Sequence, residues 1–158
     1  MYILGISAFY HDSSATLIKN GSLIAAVEEE RFTRIKHDKN FPFNAVNFCL
    51  QQENITIEDI SYIGYYEIPL LKFNRIISSY ISNFPRGFKS LFKSLPKWVF
   101  TNLWIKNIIK NNLKFNGKII LTNHHNSHLA SAFYPSPYKE SAIISMDGVG
   151  EWTTVGLA

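Results

Sequence analysis

The chain has 158 residues, 46% of them hydrophobic, with 16 Lys and Arg against 12 Asp and Glu and a formal net charge of +4. That balance excludes a disordered or low-complexity chain, and the length suffices for one domain with a buried core. No apolar stretch reaches the roughly 20 residues of a membrane span, no leader-like pattern opens the chain, and the single Cys49 excludes an internal disulfide, so a soluble cytoplasmic protein is expected.

The chain opens on a hairpin pattern: Tyr2 to Ser7, a polar loop, Ser14 to Ile18, a turn at Asn20-Gly21, then Ser22 to Val27. Asn-Gly between apolar runs is a strong hairpin signal because both residues tolerate the positive φ of a tight turn. Glu28 to Asp38 is a charged segment, which Phe41-Pro42 breaks before a short helix from about Asn44 to Gln52. Cys49 sits in the apolar run Val46 to Leu50 and reads as a small buried hydrophobe. Ser61 to Tyr66 reads as a strand. Between Pro69 and Lys114 the pattern predicts two or three helical stretches, with Pro85 and Pro96 as breaks. A strand at Lys118 to Thr122 leads into a helix from His124 to Tyr134, which Pro135 and Pro137 terminate. Two further strands are expected at Ser141 to Met146 and Trp152 to Leu157, joined by Asp147-Gly148-Val149-Gly150-Glu151.

The positive charge is concentrated. Arg86, Lys89, Lys93, Lys97, Lys106, Lys110, Lys114 and Lys118 interleave with Phe84, Phe88, Phe92, Trp98, Phe100, Trp104 and Phe115. Helices that lay Lys stems over an aromatic core produce this composition, and that is the expectation here. The alternative is a non-catalytic module that binds a membrane surface or nucleic acid, and its binding would fall steeply with salt.

His124 and His128, inside Asn-His-His-Asn-Ser-His, lie four positions apart and so share one face of a helix. A carboxylate leaving a nearby strand, Asp147, can close a metal site with them, which points to metal-assisted chemistry on an anionic substrate. His125 is adjacent and points elsewhere, so it is expected either behind the ligands, outside direct contact with the metal, or in solvent. Two loops, His11 to Ser14 and Asp147 to Gly150, each follow a strand and offer small, polar or glycine positions where backbone amides can approach an anion. In the second, Gly148 and Gly150 would permit close approach. Glu28 to Glu30 are expected on a solvated face or at a helix start, with Arg31 and Arg34 as ion-pair partners, worth under about 1 kcal/mol each. His37 and Asp38 are expected to cap or turn the chain.

Read together, Ile3-Leu4-Gly5-Ile6-Ser7 with His11-Asp12-Ser13-Ser14-Ala15, Glu29 to Asp38 with Phe41-Pro42, the pair His124 and His128, and Met146-Asp147-Gly148-Val149-Gly150-Glu151 resemble the N-terminal part of the O-carbamoyltransferases that modify nodulation factors, antibiotics and surface sugars. The resemblance covers both ends of the chain and hardly touches 67–117. It implies an α/β fold: the first lobe of an actin-like, ribonuclease-H-like (ASKHA) architecture, a mixed sheet with hairpins and flanking helices, and a helical insertion at about 67–117. It also implies the activity, in which a separate adenylate-forming domain makes carbamoyl adenylate from carbamoyl phosphate and ATP. The actin-like domain, of which 1–158 would be the N-terminal portion, then transfers the carbamoyl group to a hydroxyl-bearing small-molecule acceptor.

By the same resemblance His124, His128 and Asp147 would bind a divalent metal, iron-like, with zinc or manganese as alternatives, joined by a further aspartate from downstream. His11, Asp12 and Lys36 would face the carbamoyl adenylate, with Ser13, Ser14, Arg34, Gly148 and Gly150 binding the nucleotide. Lys36 would offset charge on the leaving AMP, and His11 would serve as base for the acceptor hydroxyl, imidazole being the side chain that ordinarily titrates near neutrality. The chain alone is expected to be incomplete and inactive. Two relatives share the fold logic, the tRNA-threonylcarbamoyl transferases, which use the same helix His pair, and other actin-like ATPases or kinases. Tyr10-His11-Asp12-Ser13-Ser14 with Glu30-Arg31 favours the O-carbamoyltransferase branch. Neither a membrane span nor nucleic acid is an expected partner.

Overall fold

Asn20 and Gly21 hold φ of 50° and 88°, so the Asn-Gly turn forms as the sequence predicts. It joins β2 (Ser14–Lys19) to β3 (Ser22–Glu28), and β2 pairs on its other side with β1 (Tyr2–Ser7), both antiparallel. The strands β4 (Ile60–Tyr65) and β5 (Lys118–Leu121) extend the sheet beyond β1 in parallel, giving the order β3-β2-β1-β4-β5. This is a mixed five-stranded α/β sheet, the class the sequence predicts. The computed structural model describes residues 1–84, 86, 102–148 and 153–158. Contacts divide the chain into two units, Met1–Tyr66 with Ile109–Leu121, and Glu67–Ile108 with Thr122–Ala158.

In the first unit, period-two alternation sends Leu4 and Ile6 of β1, Ala15 and Leu17 of β2, and Ile63 and Tyr65 of β4 into the core. Each fully buried Leu or Ile contributes about 1.5–3 kcal/mol. A single turn, α1 (Glu30–Thr33), follows β3, and α2 (Phe43–Gln51) packs on β2 and β3 with Ala45, Val46 and Cys49 buried. Burial pushes the Cys49 thiol up to about 11, so it behaves as the inert hydrophobe the sequence suggests.

The second unit contains α3 (Pro69–Ser82), whose proline stands in the first turn where its missing N–H costs nothing. At its entrance Glu67, 5% exposed, accepts a 2.8 Å hydrogen bond from Lys72 Nζ. The helix α4 (Ile105–Leu113) buries Ile105 and Ile109, one turn apart. Finally α5 (His124–Phe133) packs on a two-stranded antiparallel ribbon, β6 (Ile144–Met146) with β7 (Val155–Leu157). Both ribbon strands are shorter than the sequence predicts, Trp152 lying outside the described residues. Pro85, Pro96 and most of the basic and aromatic run, Lys89, Lys93 and Lys97 with Phe88, Phe92, Trp98 and Phe100, also lie outside them. Among the described residues no helix is long and apolar enough to cross a membrane.

Candidate metal centre and the His11 to Asp38 cluster

Four-residue spacing on α5 sets His124 edge-on to His128, with ring centroids 4.6 Å apart and ring planes at 84°. Their Nε2 atoms lie 3.2 Å from each other, and Asp147 Oδ2, just past the end of β6, lies 2.5 Å from His124 Nε2 and 3.8 Å from His128 Nε2. Donors bound at about 2.0–2.2 Å around one ion stand roughly 3.0–3.4 Å from one another. The two imidazoles meet that spacing, while Asp147 is drawn in to His124 by a hydrogen bond and stands farther from His128, so the three form a candidate donor set that a shift of the carboxylate would even out. Partial desolvation of the His128 ring lowers its pKa below the usual 6.5, the neighbouring His124 adds to this, and Asp147 opposes it. The neutral imidazole that metal binding needs is therefore favoured at His128.

The hairpin that presents Asp147 closes on itself through the Asp147 N–H, which donates to the Thr154 carbonyl at 2.8 Å. Gly148 is exposed, and a Cβ there would meet nothing within 4 Å, so packing makes no demand for glycine. Gly150 lies outside the described residues. His125 does point elsewhere, toward Ser145 and Thr153.

In the first unit the His11 loop forms a second cluster. Asp12 accepts from His11 Nδ1 at 2.7 Å on one oxygen and from His37 Nδ1 at 2.8 Å on the other. Glu30 joins it by accepting the His37 N–H at 2.9 Å. The oxygens of Asp12 and Glu30 and a His37 nitrogen come within 4.8 Å of one another, and these hydrogen bonds account for the proximity. Phe9, Asp12, Arg34 and His37 all hold positive φ without being glycine, a concentration of backbone strain typical of functional loops.

Ser13, fully buried, anchors this loop at both peptide groups: its N–H donates to the Asp38 carbonyl at 2.8 Å and its carbonyl accepts from the Glu29 N–H at 2.8 Å. Ser14 opens β2 opposite Ser7 and Glu28. Arg34 closes α1 in the left-handed conformation, its N–H donating to the Glu30 carbonyl. Lys36 is exposed and makes no hydrogen bond or ion pair among the described residues, so the structure does not bring it to Asp12.

Two expectations need correcting. Glu28 to Glu30 do lead into a helix start, α1 beginning at Glu30, but they do not form a solvated face: Glu29 is 3% exposed, and its carboxylate accepts from the Asn44 N–H, the Asn44 amide and the Ala45 N–H at 3.2, 2.7 and 2.8 Å. It serves as the remote cap of α2, because Pro42 in the cap position offers no side-chain acceptor. Arg31 and Arg34 take part in none of the ion pairs among the described residues. His37 and Asp38 do more than turn the chain. His37 shares Asp12, and buried Asp38 accepts from the Thr33 hydroxyl and from the Asn40 backbone and amide.

The Asn40 backbone N–H first, then the Thr33 hydroxyl, holds the Asp38 carboxyl below its usual 3.8, and His37, with His11 adding, does the same for Asp12. The stability they contribute is fully present above their unfolded values and is lost as pH falls through the lower folded ones. Asp38→Asn is accordingly expected to flatten the acid limb of stability, read as urea midpoints from pH 7 down to 2. An acid limb as steep as wild type would remove Asp38 from that role.

A mixed α/β fold with a His-His-Asp cluster on a helix and ribbon defines an α/β protein with a candidate divalent-metal site. Comparison with known proteins narrows this: the family model Carbamoyltransferase N-terminus matches residues 2–158, and the chain belongs to that family. It is 44% identical over 164 residues to the Synechocystis sp. protein sll1178, covering 99% of this chain and 27% of that one. It is 32% identical over 157 residues to the nodulation protein NolNO of Sinorhizobium fredii, covering 96% and 22%. The protein MJ1058 of Methanocaldococcus jannaschii is 28% identical, with 95% and 31% covered. The chain thus spans about a quarter of the length of the curated relatives it matches.

Proposed function

We propose that this chain is part of an O-carbamoyltransferase that moves a carbamoyl group from carbamoyl adenylate, made from carbamoyl phosphate and ATP, to a hydroxyl of a sugar or natural-product acceptor. The observation that carries the reading is the family match across residues 2–158. His124, His128 and Asp147 would hold a divalent ion, with iron the first choice and zinc or manganese compatible with the same donors. When bound, such an ion supplies Lewis-acid polarisation of a phosphate or carbonyl oxygen.

The chain's own contribution to proton transfer lies at His11. Its Nδ1–H donates to Asp12, which fixes the tautomer and leaves Nε2 with a free lone pair to take the acceptor's hydroxyl proton. Asp12, charged at neutral pH because both imidazoles hydrogen-bond to it, then stabilises the imidazolium formed.

The test uses the full-length protein with ATP, radiolabelled carbamoyl phosphate and a panel of sugar acceptors. Carbamoylated acceptor with matching AMP release is the expected result; absence of both with every acceptor overturns the reading. His11→Ala should lower transfer by at least about 100-fold while bound metal stays constant. Unchanged turnover would remove His11 from the mechanism.

A further inference from the structure

The ring of His125 bridges the two legs of the ribbon that displays Asp147. A carbonyl oxygen can only accept, so Nε2 carries the proton it donates to the Thr153 carbonyl at 2.7 Å, and Nδ1 accepts the Ser145 hydroxyl at 3.1 Å. Ser145, 8% exposed, stands two residues before Asp147, and Thr153 six residues after it. On the second leg, a Cβ at Gly156 would fall 3.1 Å from His125 Cβ, so the strand approaches the helix this closely because it carries no side chain there. Leu129, one helical turn beyond His125, is buried on the same side of α5.

From these contacts we infer that His125 is a positioning residue: it clamps both legs of the hairpin to the helix that carries His124 and His128, and so fixes where the Asp147 carboxylate stands. The inference rests on the metal reading proposed above. His124 faces the carboxylate while His125, next along the helix, grips the backbone that carries it, so one dipeptide sets both donor and hairpin. Donor sets tolerate displacements of only about 0.5 Å before affinity falls. The ribbon's strands are three residues each, and among the described residues its own backbone hydrogen bonds join one leg to the other without tying either to the helix.

The experiment is a Co2+ titration of the full-length protein, followed by its visible absorption, in wild type, His125→Ala, His125→Gln and Ser145→Ala. His125→Ala is expected to raise the Co2+ dissociation constant about 10- to 100-fold, the usual cost of losing a group that orients ligands. The far-UV spectrum and melting temperature of the metal-free protein should stay at the wild-type values. His125→Gln, which retains one donor and one acceptor, should recover part of the affinity, and Ser145→Ala should lose less than His125→Ala. If His125→Ala does not fold, the Gln and Ser145 variants decide. Wild-type Co2+ affinity in the folded variants overturns the inference. A wild-type protein that binds no Co2+ overturns the metal reading itself, a result distinct from unchanged affinity among the variants.

Discussion

Replacing His124 with alanine is expected to weaken Co2+ binding by more than about 100-fold, beyond the loss that follows from disturbing a group outside the donor set. The His124 side chain is 12% exposed and sits between the other two donors, 3.2 Å from His128 Nε2 and 2.5 Å from Asp147 Oδ2. Water cannot easily take its place in so enclosed a position. Asp147→Asn should lose nearly as much, because it replaces the negatively charged oxygen among these three donors with a neutral amide oxygen, a weaker ligand. His128, 52% exposed, is the donor most readily replaced by solvent, so His128→Ala should be the mildest of the three. Metal content after exhaustive dialysis and a Co2+ titration read this order directly. Full metal content in His124→Ala would show that the ion binds elsewhere.

The second large effect is on stability. Glu29→Ala is expected to cost about 3 kcal/mol, because it removes a carboxylate from the N-terminus of α2 and leaves the Asn44 and Ala45 amides without their acceptor. Glu29→Gln should fall between wild type and Ala: one oxygen still accepts, while the new amide faces an N–H as a second donor. Urea unfolding of the native protein measures both, and a wild-type midpoint in Glu29→Ala would refute the capping role. The damage should not stay at the helix. The Glu29 N–H also holds the Ser13 carbonyl, so the loop carrying His11 and Asp12 depends on the same residue.

The parts of this molecule that could be read from the sequence are those governed by short-range rules. The Asn20-Gly21 turn, the helix after Pro42 and the edge-on contact of His124 with His128 each follow from neighbours within four residues. Asp147 is 23 residues from His124, and it is the resemblance of its Asp-Gly-Val-Gly segment to a known family, beyond any local rule, that points to the place where the structure puts its carboxylate, beside the His pair. The helix start at Glu29-Glu30 follows from local sequence, but the burial of Glu29 does not, because its partners lie fifteen and sixteen residues on, across a break at Phe41-Pro42. One signal was present: a helix that begins after proline with no Ser, Thr, Asp or Asn in the cap position must find its acceptor elsewhere. His37 and His125 reach groups more than twenty residues away, His37 at Asp12 and His125 at Thr153, and no local pattern reports such contacts.

The parallel pairing of β4 with β5 carries a consequence for how the chain is made. Tyr65 ends one strand and Lys118 begins its partner, so the sheet's last ladder waits for everything between them to leave the ribosome. Until then β4 presents an open edge of unpaired amides, and closing so long a connection is entropically slow. Nascent chains halted before residue 118 should therefore need a chaperone's protection more than chains released after 121.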